Sequence, residues 1–343
     1  MTDYNKEFIY DIEAIPGERW FPKESNFEDD MNEYWGDWGV SSEVDTLKAV
    51  LIRRPGKEVE DFDPDAVRFS DEPLDVELMR KQHDNVAQVY KDFGAKVYYV
   101  EEQREDRPNA VFCRDLMFMT PEGAILTRPG MAARRGEERY VAQALAKYGV
   151  PILKTVAGDG MFEGANAMWV DRHTCVVSTG VRCNRSGYEQ VKHELERMGV
   201  EVYHMQQPYS NIHIDGLMNP ISHDKVLIHA SQVPYDIIDM LKKKGYEILE
   251  TNWVCNAGEA DIIAQEDDTL CFVEVKTRSN VEKGFPAEAV NAKKRNRYER
   301  IAASYLTTYE DCDIRVRFDV ISILVLSERR AFLRFHKNAF GTE

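Results

Sequence analysis

Residues 258–278 read GEADIIAQEDDTLCFVEVKTR. The runs ADIIAQ and LCFVEVKTR are apolar and rich in β-branched residues, with the acidic turn Glu266-Asp-Asp268 between them, so the spacing predicts a β-hairpin. Alternation along the second strand puts Glu274 and Lys276 on one face. Asp261, thirteen residues before Glu274, can oppose them from the first strand. Two carboxylates and an ammonium gathered in that way can hold Mg²⁺ or Mn²⁺ and orient a water against a phosphodiester. Glu-x-Lys alone is common on solvated faces, so the weight falls on the spaced Asp261 and on the next element of the chain. That element is a predicted basic helix, Glu288 to Thr307, whose Lys293, Lys294, Arg295, Arg297 and Arg300 can meet nucleic acid phosphates. The strands IRVRFDVISIL and AFLRFH come after it, and YEILETNW precedes the hairpin as a further strand.

Outward from this stretch the chain changes character. Its 343 residues suit about two domains, and 43% hydrophobic residues suffice for a sizeable core. The net charge is −16, and it is uneven. The first 250 residues hold 30 Lys and Arg against 45 Asp and Glu, whereas the remainder holds 14 against 15. An acidic body repels nucleic acid and tolerates a cationic small molecule; only the last quarter is balanced enough to sit on a phosphate backbone. No run approaches the roughly 20 apolar residues of a membrane span, so no membrane partner is expected. The opening MTDYNKEFIYDIEA is acidic where a secretory signal is basic and then apolar. The six cysteines form no CxxC pair, which fits a reduced, cytoplasmic protein whose cysteines are mostly small core residues. No Gly-rich phosphate loop is present.

Residues 1–46 are acidic yet carry Trp20, Trp35 and Trp38, so they read as a cap folded over the body. Beyond them a pattern recurs four times: a predicted helix ends in Gly and leads directly into a strand, as FGAKVYYV, YGVPIL, MGVEVY and KGYEIL. The glycines, Gly94, Gly149, Gly199 and Gly245, are 55, 50 and 46 residues apart. Glycine there is the left-handed stop of a helix. Hairpins precede the last three helices (DLMFMTPEGAILTRP, AMWVDRHTCVVSTG and LMNPISHDKVLIHA), and the strand LKAVLIRRP precedes the first. The pattern predicts an α/β fold of repeated strand–strand–helix–strand units, none of which buries its apolar face alone.

Polar residues cluster just before these hairpins, in FCRD (112–115), FEGAN (162–166) and NIHID (211–215). If the repeats are related by rotation, Asp115, Glu163, His213 and Asp215 converge on one pocket. Three carboxylates so close call for a cation, and a guanidinium matches them through its planar donor fork. His213 beside them is a natural proton shuttle. Each residue taken singly is more often a cap or a structural histidine; repetition at matching places favours the site.

The motifs CRD, FEGAN, GVRCN and HID resemble those of the guanidine-modifying superfamily of arginine deiminases, dimethylarginine hydrolases and amidinotransferases, over about Leu47 to Leu249. The resemblance implies a fivefold α/β-propeller. It assigns Asp115, Glu163 and Asp215 to a guanidino substrate, His213 to acid/base catalysis and Arg182 to the substrate carboxylate. It implies no cofactor for this part. Asn166 stands where that family often has Asp. That family's nucleophile is a cysteine in a fifth repeat, whereas here four repeats are countable and the pattern stops after KGYEIL. Cys113 is a remote substitute, pointing the same way as Asp115 if the segment is a strand. From Gly245 to Phe340 the motifs GEADIIA, FVEVKTR, PAEAV, RFDV and NAF closely resemble the YraN family of small bacterial proteins with a restriction-endonuclease-like fold. That likeness makes Glu259, Asp261 and Glu274 the metal-binding set and Asp261, Glu274 and Lys276 the reactive one. Val233-Pro234 stands where that family has a Gly-Glu pair. The expected architecture is a cap (1–46), an incomplete propeller of four repeats (47–244) and a nuclease-like domain (245–343). KGYEIL serves both modules, and the open propeller is where a homo-oligomer or another partner would pack.

Overall fold

A computed structural model describes residues 24–60, 74–229, 231–245, 247–266, 269–278, 292–307, 315–327 and 330–340. The four spaced glycines take φ of 86°, 79°, 75° and 88° in chain order, the left-handed conformation expected of helix stops. Each follows one helix: α2 (Val76–Asp92), α3 (Glu138–Tyr148), α4 (Arg185–Arg197) and α5 (Tyr235–Lys243), while α1 (Phe27–Tyr34) lies before the first unit.

The strand pairing repeats as well. In the first unit β1 (Ala49–Ile52) runs through α2 to the parallel strand β2 (Lys96–Tyr99). The second pairs β3 (Met117–Thr120) antiparallel with β4 (Gly123–Leu126), then returns through α3 to β5 (Ile152–Thr155), parallel to β4. The third does the same with β6 (Ala167–Asp171), β7 (Thr174–Thr179) and β8 (Glu201–Gln206). The fourth uses β9 (Met218–Pro220), β10 (Lys225–Ile228) and β11 (Glu247–Cys255).

Neighbouring units share their cores. Phe118 and Ile125 of the second unit join Trp169, Val177, Val191 and Leu195 of the third in one buried cluster. Met168, Val170 and Val176 of the third join Met218, Val226, Ile237 and Leu241 of the fourth. Trp169 stacks on Phe118 with centroids 5.6 Å apart and ring planes at 17°. Each such large side chain contributes about 1.5–3 kcal/mol on burial, and it does so only with the next unit in place. Part of the amino-terminal segment is tied to this body: the Trp38 ring lies 5.7 Å from Tyr98, and Glu43 accepts the backbone N–H of Trp169 at 3.1 Å.

The carboxy-terminal elements are β12 (Gly258–Glu266), β13 (Thr269–Arg278), α6 (Ala292–Leu306), β14 (Arg315–Ser327) and β15 (Arg330–Phe340). They extend the fourth unit rather than stand apart. β11 is parallel to β10 on one side and antiparallel to β12 on the other, in a seven-stranded sheet ordered β15-β14-β13-β12-β11-β10-β9. KGYEIL therefore leads into a strand common to both modules; Tyr246 itself lies outside the described residues. The predicted hairpin is present as β12 and β13 with Ile262 opposite Val273, although residues 267–268 of its turn lie outside the described residues. Helix α6 begins at Ala292; the earlier part of the predicted helix, the PAEAV segment and Cys312 lie outside them too. The Phe272, Tyr298, Ile301 and Phe318 side chains form the core under this helix. Asp319 of the RFDV motif is buried and anchors Asn338 of the NAF motif, accepting its backbone N–H at 2.7 Å. Among the described residues no helix is long and apolar enough to cross a membrane.

Candidate functional site

Short 3₁₀ turns, not strands, position the polar residues of the amino-terminal body. Cys113–Leu116 and Gly164–Asn166 form one each immediately before β3 and β6, and Ile214–Gly216 forms one a residue ahead of β9. A Cβ on Gly164 would overlap the carbonyl oxygens of Met117 and Arg114. Glycine there lets the first and second of these turns touch, which is what brings Asp115 to Glu163.

Ligand atoms of Asp115, Glu163 and His213 lie within 4.8 Å of one another. His213 Nε2 is 2.8 Å from Glu163 Oε2 and 3.7 Å from Asp115 Oδ1. Glu163 is 0% exposed; its other oxygen accepts the Gly130 N–H at 3.1 Å and an Arg182 N–H at 3.3 Å. Burial alone would raise the Glu163 pKa, but the His213 hydrogen bond and the charges of Arg182 and Arg134 outweigh it and hold the group below its ordinary value. Asp115, His213, Arg182 and Trp169 line a cavity of about 980 Å³, bounded on its apolar side by Leu47, Val50 and Met119.

Asp215 and Cys113 line the same cavity from outside the cluster. Asp215 lines the cavity but is exposed and stands outside the Asp115–Glu163–His213 cluster. It sits within the 3₁₀ turn Ile214–Gly216, with His213 the extended residue just before that turn. Cys113 is likewise within a turn, and the strand alternation invoked for it does not apply. It lines the cavity but is only 6% exposed, its thiol contacts the Ala110 carbonyl, and burial pushes its pKa up to about 12. A thiol so protonated is a poor nucleophile. Cys183 is also buried, with its pKa pushed up to about 12, and burial raises Cys175 as well.

Arg134 and Glu137 were not anticipated. Arg134 is 4% exposed; it pairs with Asp115, donates to Glu137 at 2.8 Å and reaches the Asn109 and Phe112 carbonyls at 3.2 Å. Burial pushes the Glu137 carboxyl up to about 7 even against the Arg134 charge. The signal available in the sequence was the Arg-x-x-Glu spacing of residues 134–137 just ahead of α3. Arg182, expected on a substrate carboxylate, instead rests on Glu163. Asn166 is buried outside the cluster, its Oδ1 accepting from Ser178 and Gln207 at 3.0 Å each.

In the carboxy-terminal module, Glu274 is 2% exposed on β13. Its Oε1 accepts both the Lys276 and Lys294 ammonium groups. Burial raises the Glu274 pKa, and the hydrogen bonds from Lys276, Lys294 and Tyr298 more than reverse this. Asp261 of β12 accepts the Val275 N–H at 2.7 Å, so the hairpin brings it to Glu274 and Lys276 as the spacing predicts. Glu259 is exposed, and no described contact joins it to them. Of the residues assigned to nucleic acid, Arg295 and Arg297 are exposed on α6, and the Lys293 side chain lies outside the described residues. Lys294 is the exception: it points inward onto Glu274, because it precedes the buried Tyr298 by one helical turn.

Comparison with known proteins matches this division. The model of the family "N,N dimethylarginine dimethylhydrolase, eukaryotic" matches residues 68–259, and that of "Uncharacterised protein family UPF0102", the YraN family, matches residues 237–323. The two matches overlap on α5, β11 and the start of β12. A UPF0102 protein of Dictyoglomus thermophilum is 48% identical over 88 residues, 26% of this chain and 75% of that protein. One from Chlorobium phaeobacteroides is 42% identical over 125 residues, covering 33% of this chain and 99% of its own length. Among solved structures, the dimethylarginine hydrolase of Pseudomonas aeruginosa, a mutant complexed with citrulline, aligns with TM-score 0.50 and 17% identity over 80% of this chain and 92% of that one. The N-terminal domain of the cyanobacterial arginine dihydrolase ArgZ, bound to product, gives 0.51 and 18% over 79% and 90%. At such identity these two establish a shared α/β fold. The chain thus belongs to two families along its length, the dimethylarginine dimethylhydrolases over residues 68–259 and UPF0102 over residues 237–323.

Proposed function

We propose that the protein joins a guanidine-binding pocket without an attacking thiol to a metal-dependent nuclease centre. On this reading the amino-terminal body is four repeats of a five-repeat propeller, and the carboxy-terminal module has a restriction-endonuclease-like fold. The observation that carries the reading is the contrast between the two centres. Asp115, Glu163 and His213 are assembled beside thiols that burial keeps protonated, whereas Asp261 and Lys276 are brought beside the buried carboxylate of Glu274.

In the pocket, Asp115 and His213 form the wall that a guanidinium meets, and Glu163 stands behind His213, fixing the ring and neutralising Arg182. The cluster could also hold a metal ion, but Arg134 and Arg182 already supply two positive charges, which favours a singly charged planar cation. Glu163→Ala uncovers the Arg182 charge at the cavity. It is expected to weaken arginine binding, measured by titration calorimetry, by at least about a hundredfold, near 3 kcal/mol. Unchanged affinity would remove Glu163 from the pocket.

In the second centre the donor set fits a hard divalent cation. A buried carboxylate that already gathers two ammonium groups demands positive charge, and Asp261 adds a second oxygen donor. A bound cation would neutralise charge developing on an attacked phosphodiester. Lys276 keeps an ammonium beside the same oxygen, and the exposed Arg295 and Arg297 offer contacts to the backbone of the substrate. Supporting this reading, the acidic first 250 residues leave only this region balanced enough to approach DNA or RNA.

A further inference from the structure

The two ammonium groups on Glu274 do not have equal reasons to be there. Leu270, Phe272, Glu274 and Lys276 alternate along β13 on the face toward α6, and Leu270 and Phe272 share a core with Tyr298, Ile301, Ala302 and Tyr305 of that helix. Lys276, two residues beyond Glu274 on the same strand, stays beside it whatever the carboxylate binds. Lys294 comes from another element. It is placed by helical register above Tyr298, near the start of α6, and reaches Glu274 only through its flexible four-carbon stem.

One carboxylate oxygen offers about two acceptor positions, and on Glu274 Oε1 both are taken by ammonium groups. Asp261 and Glu274 together carry two negative charges, which Lys276 and Lys294 cancel. A divalent cation added to that arrangement would meet a saturated oxygen and a neutral site with two like charges at contact distance.

We infer that Lys294 is a displaceable internal cation of this centre: its ammonium occupies Glu274 while the site holds no divalent metal, and withdraws from it when one binds. The inference rests on the reading of Glu274 as a metal ligand. Withdrawal carries the ammonium outward along α6 toward the side where Arg295 and Arg297 are exposed. There it can meet a phosphate of the bound nucleic acid, so that metal loading and substrate contact are coupled through one side chain.

The test is a Mn²⁺ titration of the full-length, chelator-treated protein, reading free Mn²⁺ by electron paramagnetic resonance. Wild type is compared with Lys294→Gln, Lys294→Met, Lys294→Arg and Glu274→Gln. Both neutral substitutions are expected to tighten Mn²⁺ binding about tenfold or more, Lys294→Met keeping the apolar packing of the stem. Lys294→Arg is expected to leave binding near the wild-type value, and Glu274→Gln to abolish it. Equal or weaker binding in both neutral variants, with wild type still binding through Glu274, overturns the displaceable lysine and leaves the metal centre standing. Absence of Mn²⁺ binding in wild type and all variants overturns the centre itself, and the inference with it.

Discussion

Arg134→Ala is expected to destabilise the amino-terminal body by about 3–5 kcal/mol, the usual cost of leaving buried charge without its partner. Arg134 is almost fully buried and holds two carboxylates, Asp115 and Glu137, besides the Asn109 and Phe112 carbonyls. Burial lowers its own pKa, yet the charges of Glu137 and Asp115 outweigh this and raise it, so the guanidinium remains charged throughout the accessible range. Removing it leaves Glu137 without its ion-pair partner at 0% exposure. The folded pKa of Glu137, about 7, is above the ordinary carboxylate value, so the native state binds the proton that the unfolded state releases. Stability therefore falls as pH rises from the ordinary value through the folded one. Without Arg134 the folded pKa climbs further and the window widens upward. Urea unfolding should thus show a larger deficit for Arg134→Ala at pH 8 than at pH 5.5. An equal deficit at both would mean that Glu137 does not carry the cost.

Glu274→Ala is expected to reduce Mg²⁺-dependent nicking of DNA by at least about a thousandfold, close to 4 kcal/mol of transition-state stabilisation. Lys276→Ala is expected to act in the same direction. Glu274 touches both ammonium groups of the centre, so its loss removes the carboxylate and scatters its neighbours together. A stability loss on the order of 2 kcal/mol should accompany it, since charge-assisted hydrogen bonds of partly exposed lysines are forfeited. Glu274→Gln separates the two effects: the amide keeps acceptor capacity and most of the packing, yet cannot supply a carboxylate. Recovery of folding without recovery of nicking is the expected result. Nicking that persists in Glu274→Gln would exclude this carboxylate from the chemistry.

Much of this architecture is legible in the chain because it depends on local rules. Gly94, Gly149, Gly199 and Gly245 mark helix stops that only a left-handed residue serves well. The β12–β13 hairpin arises from two β-rich runs about an acidic turn, and alternation along β13 correctly pairs Glu274 with Lys276. The double use of β11 is also written in the sequence, since KGYEIL completes one pattern while opening another. What was not legible depends on geometry that spacing does not encode. Cys113 was placed by strand alternation, but it sits in a 3₁₀ turn, and Asp215, placed by the convergence of repeats, lines the cavity from another such turn outside the cluster. Arg134 reaches back to Asp115, 19 positions earlier in the chain, through a contact that needs both turns in place. Lys294 looked like one more member of a basic run; its inward direction is fixed by Tyr298, a residue that only the packed helix identifies as buried.

The direct measurement for the whole account is a time course of purified full-length protein with arginine, tracking bound ligand by calorimetry and any citrulline or ornithine by chromatography. Arginine is expected to be held and returned unchanged, because among the described residues the thiols near His213 and Asp115 are buried and held protonated. Steady release of citrulline or ornithine, abolished by replacing a cysteine, would contradict it.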